Sequence, residues 1–173
     1  IFSVLKKGAS SIATTPIRNM ATLGGNLTCR YTWTEIPAIL IAFDAKLHFV
    51  LPKGEEEVLA AEDFYANGAK SKYLLSHISI KNEQTIASYQ RAQKSIATDI
   101  PLLAVCIKAE VKQKQISNAR VAVNLGTAFP KRDEVLEAFL NKSKISKDLP
   151  EQALNNSNES LYNNHNNEYK EHM

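Results

Sequence analysis

Ile17-Arg18-Asn19-Met20-Ala21-Thr22-Leu23-Gly24-Gly25-Asn26-Leu27 is the least ordinary stretch of this 173-residue chain. It has neither the 3.6-residue period of an amphipathic helix nor the alternation of a strand, so it is predicted to be a loop. The paired glycines Gly24 and Gly25 permit backbone angles that are closed to other residues. The five residues 22–26 can therefore point successive backbone N–H groups into one concavity, which suits a phosphate or a pyrophosphate.

Polar residues around the glycine pair fit an anion in the same way. Thr22, Asn26 and Thr28 supply neutral hydrogen-bond donors, and Arg18 and Arg30 can add positive charge. A glycine pair in a loop is more often only a tight turn, and on spacing alone both interpretations stay open. The spacing matches neither a Walker loop nor the Gly-x-Gly-x-x-Gly fingerprint, which disfavours the nucleotide sites built on those motifs.

Upstream of this stretch, the apolar spacing predicts a helix from residue 1 that ends near Gly8. Downstream, Thr34 can cap a helix that ends around Asp44 and presents one apolar stripe. A hairpin about the turn Pro52-Lys53-Gly54 follows, and 61–65 fits one helical turn. Two further strands are predicted over 73–80 and 86–91.

The second half of the chain predicts an antiparallel pair of strands, 103–111 and 119–125, followed by a helix over Asp133 to Leu140. The stretch Asn155 to Asn167 is rich in asparagine and nearly free of aliphatic residues, which predicts a loosely ordered tail. The predicted fold class is α+β, an antiparallel-sheet subdomain followed by a small antiparallel sheet with a helical cap. The expected units are residues 1–82, 83–155 and 156–173.

The composition narrows the class of protein. Hydrophobic residues make up 44% of the chain, which is enough for a sizeable core, and the net charge of +3 comes from a mixed surface that indicates no nucleic-acid partner. The longest apolar run, 36–43, is too short to span a bilayer. Cys29 and Cys106 form neither a disulfide framework nor a metal motif, so a reducing, cytoplasmic location is expected. Because the chain begins with Ile1, inside a helical pattern, it is expected to be a fragment.

No side-chain constellation predicts catalysis or metal binding. The four histidines are scattered without ligand spacing, and there is no nucleophile motif or carboxylate pair, so an enzymatic role requires a cofactor to do the chemistry. Four aromatic residues are candidates for stacking on a planar ring, although such residues are more often core. These are Tyr31, Phe43, Trp33 and Tyr89. Several basic residues, Arg91 and Lys108 among them, are expected on a solvated face.

The stretch 17–27 closely resembles the second flavin-binding motif of the medium FAD subunits of molybdenum hydroxylases, the family of xanthine dehydrogenase and carbon monoxide dehydrogenase. The resemblance covers roughly residues 1 to 155. It continues through Glu35-Ile36-Pro37-Ala38, Asp44-Ala45-Lys46-Leu47, 74–80, Tyr89-Gln90-Arg91-Ala92 and 119–126. A motif of eleven residues is far more specific than a lone glycine pair.

The resemblance implies an FAD-carrying electron-transfer component, an oxidoreductase subunit. In this interpretation FAD accepts electrons from iron–sulfur clusters, of the [2Fe-2S] kind, in a small subunit, after a molybdopterin-bearing large subunit has oxidised the substrate. NAD is the common final acceptor. The implied flavin-binding residues include Thr22, Leu23, Gly24, Gly25 and Asn26 of the motif and Thr28 directly after it. Outside it, Ile12 lies near the adenine, Glu35 beside the flavin-binding loop and Leu75 against the isoalloxazine.

The family's N-terminal subdomain carries a glycine-containing phosphate loop of its own, and residues resembling it are not in this sequence. The chain is therefore expected to be an N-terminally truncated member. Two other hypotheses follow from the same residues. The chain can be a truncated scaffold that docks to partner subunits without binding flavin, or a general phosphate-binding module.

Overall fold

The computed structural model describes residues 1–30, 34–69, 72–95, 100–124 and 128–162. These residues form groups of helices and two antiparallel sheets, which confirms the predicted α+β class. The helices are α1 (Phe2–Ser11), α2 (Thr15–Met20), α3 (Leu23–Thr28), α4 (Ile36–Ala42), α5 (Ala61–Asn67), α6 (Glu134–Leu140), α7 (Leu149–Asn155) and α8 (Glu159–Tyr162). The strands are β1 (Lys46–Val50), β2 (Glu56–Ala60), β3 (Leu74–Ser79), β4 (Ile86–Ala92), β5 (Leu103–Lys112), β6 (Gln115–Asn124) and β7 (Lys131–Arg132).

The first sheet has three antiparallel strands in the order β2-β1-β3. The predicted hairpin is confirmed as β1 and β2, with Leu47 opposite Leu59. Its turn needs Gly54, whose φ of +80° lies in the region that side chains disfavour. Along β1 the buried Leu47 and Phe49 alternate with less buried neighbours, as in a sheet that is covered on one face.

The second sheet has four antiparallel strands in the order β4-β5-β6-β7, and its central pair is the predicted one. Asp133 caps α6 by accepting a hydrogen bond of 2.9 Å from the Leu136 amide. Leu136 and Leu140 pack with Val121 of β6 in a small core. The predicted helical cap on the second sheet is therefore confirmed.

Helix α4 is buried on every side rather than along the single predicted stripe. It contacts α1 and α5 and also strands β5 and β6. The main core consequently contains residues of the second sheet, Tyr89 and Cys106 among them. Burial raises the pKa of the Cys106 thiol to about 12.

The two sheets separate in sequence between Ser79 and Ile86, near the expected boundary at residue 82, although they share the main core. The division into three units remains a prediction. Residues 159–162 form α8, in which Leu161 is buried, so this part differs from the loosely ordered tail that was expected. The remainder of the expected tail, 163–173, lies outside the described residues.

Two predictions upstream were wrong. Helix α1 continues through Gly8 to Ser11, because Gly8 is not a helix end but the point where α1 packs against Ile39 of α4. The predicted loop 17–27 is mostly helical and belongs to α2 and α3. Within the described ranges, no helix combines the length and apolar character that a membrane span requires.

Candidate functional site

The glycine motif is the beginning of helix α3. Thr22 is its N-cap, and the Thr22 hydroxyl oxygen accepts a hydrogen bond of 3.1 Å from the Gly25 amide. The backbone amide of Asn26 donates to the Thr22 carbonyl at 3.0 Å, and the Thr28 hydroxyl donates to the Gly24 carbonyl at 2.9 Å. The expected concavity of successive amides is therefore replaced by a capped helical turn, in which the amides of Gly25 and Asn26 are already bonded.

The two glycines contribute space rather than unusual backbone angles, because neither has a positive φ. A Cβ added at Gly24 would meet no heavy atom within 4 Å. A Cβ added at Gly25 would lie 3.0 Å from the Thr22 hydroxyl oxygen. The surface at Gly24 is thus open to a ligand, and the capping hydroxyl occupies the space beside Gly25.

Asn26 carries the polar atom of the motif that is left without a partner. Its side-chain oxygen is buried and accepts no hydrogen bond from the residues that the structure describes. A buried acceptor without a donor costs about 1–3 kcal/mol. The following residue, Leu27, is fully buried and its carbonyl accepts a hydrogen bond from the Tyr65 hydroxyl at 3.2 Å. Asn26 is therefore held in place and offers an acceptor to a donor that is not part of the described chain.

The two arginines that were expected to add charge at the motif are engaged with backbone carbonyls. Arg18 Nη1 donates to the carbonyls of Ile12 and Ala13 at 2.6 and 2.8 Å. Arg30 Nη2 donates to the carbonyls of Tyr65 and Ala66 at the end of α5. Both side chains therefore tie the motif to neighbouring segments.

Ile12 lies in a short turn that we call the 11–13 turn, formed by Ser11, Ile12 and Ala13 between α1 and α2. Ala13 has a φ of +44°, a strained backbone angle for a residue with a Cβ. Arg18 holds two carbonyls of this turn, so the turn is connected directly to α2, within the motif. The structure thereby brings Ile12 together with the motif.

Glu35 is buried, and its carboxylate belongs to a polar network. Oε2 accepts hydrogen bonds from the hydroxyls of Ser11 at 2.7 Å and Tyr89 at 2.9 Å, and Oε1 is paired with the Arg91 guanidinium. Burial, followed by the charge of Glu35, raises the pKa of the Tyr89 phenol, which stays protonated as a donor. With only 3% of its side chain exposed, Glu35 contacts the 11–13 turn rather than open solvent.

Leu75 is carried by β3 of the first sheet, opposite Phe49, and packs half-buried against the main core. It lies on a different element from the motif. Among the aromatic candidates for stacking, Phe43 and Tyr89 are core residues. Tyr31 and Trp33 lie outside the described residues.

Arg91 is the residue of this region that was missed, because it was expected on a solvated face. It is 15% exposed, and Nη1 donates both to Glu35 and to the Ser11 carbonyl, the latter at 2.8 Å. The available signal was the strand alternation that places Tyr89 and Arg91 on one face of β4. Lys108 was also expected in solvent, yet it is buried and paired with Glu83 at 3.2 Å. The described residues hold no group of three potential metal ligands.

Comparison with known proteins identifies the region that contains this site. Residues 2–83 match the family described as the FAD binding domain in molybdopterin dehydrogenase. The beta subunit of caffeine dehydrogenase from Pseudomonas sp. (strain CBB1) is 27% identical over 154 residues, which are 85% of this chain and 52% of that subunit. The chain thus spans about half the length of the curated relative that it matches.

Solved structures share the fold. A carbon monoxide dehydrogenase from Hydrogenophaga pseudoflava, which lacks the Mo-pyranopterin moiety of its molybdenum cofactor, superposes with a TM-score of 0.79 at 21% identity and covers 88% of this chain and 55% of its own. Quinoline 2-oxidoreductase from Pseudomonas putida 86 gives 0.79 at 18% identity and covers 92% and 55%. Residues 2–83 of the chain are thus similar to the FAD-binding domains of molybdopterin dehydrogenases.

Proposed function

We propose that this chain binds FAD through the beginning of α3. The observation that carries the proposal is the buried, unpaired side-chain oxygen of Asn26, two residues beyond the open surface at Gly24. A ligand with a hydrogen-bond donor satisfies the first feature, and a bulky group that needs close backbone approach explains the second. These features fit a flavin dinucleotide, and the family match over 2–83 supports that identity.

In this proposal the beginning of α3 holds the pyrophosphate region of FAD with Thr22, Leu23, Gly24, Gly25, Asn26 and Thr28. The Asn26 side-chain oxygen accepts from a sugar hydroxyl next to the diphosphate, because the diphosphate itself has no proton to donate. Ile12 supplies an apolar contact to the adenine and Leu75 an apolar contact to the isoalloxazine. Glu35 contributes from beneath, since its carboxylate is bonded to the 11–13 turn. When bound, FAD supplies the redox chemistry, which the side chains of this site do not. The chain binds and orients the cofactor, and no described side chain is assigned a proton transfer.

The wider role is that of the FAD-carrying component of a cytoplasmic molybdenum hydroxylase. The proposed partners are a molybdopterin-binding large subunit and a small subunit with [2Fe-2S] clusters, from which electrons reach the flavin and pass to NAD or another acceptor. The support is that one relative is named a dehydrogenase subunit and that another is named a carbon monoxide dehydrogenase lacking the Mo-pyranopterin moiety of its molybdenum cofactor. Anaerobic addition of NADH to the FAD-loaded chain tests the acceptor, because bleaching of the flavin absorbance is expected if NAD is used.

Flavin titration tests the cofactor. The purified 173-residue chain is expected to release FAD on denaturation, or to quench the fluorescence of added FAD with a saturable dissociation constant. Riboflavin, which lacks the diphosphate and the adenosine, is expected to bind more weakly. A colourless chain that does not bind added FAD would favour the scaffold hypothesis. Binding of inorganic pyrophosphate that FAD does not displace would favour the phosphate-binding module.

The substitution Gly24→Val tests the site. The new side chain meets open space in the protein, so the free energy of unfolding should change by less than about 1 kcal/mol. If the diphosphate lies against Gly24, FAD affinity should fall by about tenfold or more, an effect of at least about 1.4 kcal/mol. FAD titration and urea unfolding of the same samples measure both quantities.

Gln152→Val is the control, because it introduces the same valine side chain at an exposed position of a different helix, α7. It should leave FAD affinity unchanged. Equal FAD affinity in Gly24→Val and the original chain would remove the motif from the site, even if the chain binds FAD elsewhere.

A further inference from the structure

The 11–13 turn connects the motif to the second sheet through a partly buried arginine, Arg91. Arg91 extends from β4, and its Nη1 donates to the Ser11 carbonyl at 2.8 Å and to Glu35. Arg18 of α2 donates to the next two carbonyls, those of Ile12 and Ala13. Two guanidinium groups, one from β4 and one from α2, therefore hold three consecutive carbonyls of one turn.

The hydrogen bonds from the two arginines hold the strained 11–13 turn in its conformation. Ala13 has a positive φ, and such a conformation persists only where the surroundings over-determine it. A guanidinium carries five donors in a rigid fork, so a single arginine can hold a carboxylate and a carbonyl in fixed relative positions. Gln93 accepts from the second arm, Nη2, and thereby fixes the orientation of the Arg91 fork.

Other contacts between the same elements agree with this role. The Tyr89 hydroxyl, on the same face of β4, donates to Glu35 Oε2, which also accepts from the Ser11 hydroxyl. On the outer side, the Lys7 ammonium of α1 donates to Gln90 of β4 at 2.9 Å. The end of α1, the beginning of α4 and strand β4 are thus joined around one carboxylate.

We propose that Arg91 is a positioning residue for the flavin-binding site, acting through the Ser11 carbonyl on the 11–13 turn and, through Arg18, on α2. The inference rests on the proposed FAD site, because Ile12 is one of its contacts. In this proposal Arg91 acts through the turn and does not itself contact FAD. A residue of the second sheet, outside the family match at 2–83, therefore influences the affinity of the motif for FAD.

The test compares Arg91→Met with Arg132→Met. Arg132 is a matched control, since it is 20% exposed and paired with the buried Glu137, as Arg91 is 15% exposed and paired with the buried Glu35. Both substitutions remove the nearest guanidinium from a buried carboxylate and should lower the free energy of unfolding, although Glu137 keeps Arg120 Nη1 at 3.8 Å. Only Arg91→Met should weaken FAD binding, by about tenfold, when both variants are titrated under conditions that keep them folded.

A double variant separates positioning from charge neutralisation. Glu35→Gln combined with Arg91→Met removes both charges, so stability should recover in part, but the Ser11 carbonyl still lacks its donor. FAD affinity is expected to stay about tenfold weaker than that of Glu35→Gln alone. Full recovery of affinity in the double variant would overturn the proposal, and so would equal effects of Arg91→Met and Arg132→Met on FAD affinity.

Hydrogen exchange of the chain without FAD gives a readout that does not depend on the cofactor. Amides of residues 11–20 should exchange faster in Arg91→Met and not in Arg132→Met. If the original chain fails to bind FAD, the proposed function fails, while this local increase would still support the positioning of the turn. Unchanged exchange over residues 11–20 would refute the role of Arg91 whether or not FAD binds.

Discussion

Gly8 shows how a single residue sets the distance between two helices. An added Cβ would lie 2.4 Å from Ile39 Cδ1, in the buried contact between α1 and α4. The helix propensity of glycine is about 1 kcal/mol worse than that of alanine, so local preference alone would favour alanine here. The close approach of α1 decides the residue instead.

Gly8→Ala is therefore expected to destabilise the chain by about 1–3 kcal/mol, the usual cost of overpacking a core. Gly24→Ala, a matched change in a helix with open space, is expected to stabilise it by up to about 1 kcal/mol. Urea unfolding midpoints of the two variants measure the difference. Equal shifts in the same direction would show that α1 does not press on Ile39.

At the scale of elements, Asp133 joins three segments. One of its carboxylate oxygens caps α6, and the other accepts hydrogen bonds from the Asn158 amide and the Tyr162 hydroxyl. The residue is completely buried. A short helix of four residues such as α8 has little stability of its own, so its position depends on contacts of this kind.

Asp133→Ala should lower the free energy of unfolding by about 3 kcal/mol, because it removes a helix cap and two further hydrogen bonds to a charged group. Tyr162→Phe removes one of those bonds and should cost about 1 kcal/mol. Denaturant titration of both variants gives the comparison. A loss in Asp133→Ala no greater than that in Tyr162→Phe would contradict the joint role.

The elements that could be predicted from the sequence are those with clear periodicity. Apolar residues recur at every second position of the sequence over 103–111 and 119–125, and α6 has both an apolar face and an Asp133 cap. Helices α2 and α3 have only six residues each, too few for a helical period to be visible, and glycines occupy two positions of α3. Their signals were the caps, Thr14 before Pro16 and Thr22 before Gly25.

The candidate site was predictable only in its local part. The stretch 17–27 carries the motif in consecutive residues, so its resemblance could be seen directly. The network around Glu35 joins residues 11, 35, 89 and 91, and such separation has no sequence signature in a single chain. Arg91 resembles any surface cation until the fold brings β4 against the end of α1.

At the scale of the whole molecule, two buried tyrosines and one half-buried tyrosine limit the stability of the fold at alkaline pH. Burial is the main cause of the raised pKa of each phenol, and neighbouring carboxylates add to it for Tyr89 and Tyr162; the third phenol is that of Tyr65. In the unfolded chain a phenol ionises near pH 10. Above that pH the unfolded state binds fewer protons than the folded state, so stability falls as pH rises.

Ionisation of these tyrosines is therefore expected to leave the free energy of unfolding unchanged below about pH 9 and to decrease it above about pH 10. A pH titration tests this expectation. Ultraviolet absorbance of phenolate follows the ionisation, and circular dichroism of the same sample follows the loss of the fold. Three phenolates should appear together with loss of the fold. Full phenolate absorbance in a chain that is still folded would contradict the burial of these residues.

The burial of α4 on every side has a consequence for where the molecule can be divided. Residue 83 ends the match to the FAD-binding family, yet the side of α4 that faces β5 and β6 is covered only by residues beyond it. Truncation of the chain after residue 83 would expose this apolar side of α4 to water. The segment that matches the family and the segment that buries α4 thus end at different residues in this protein.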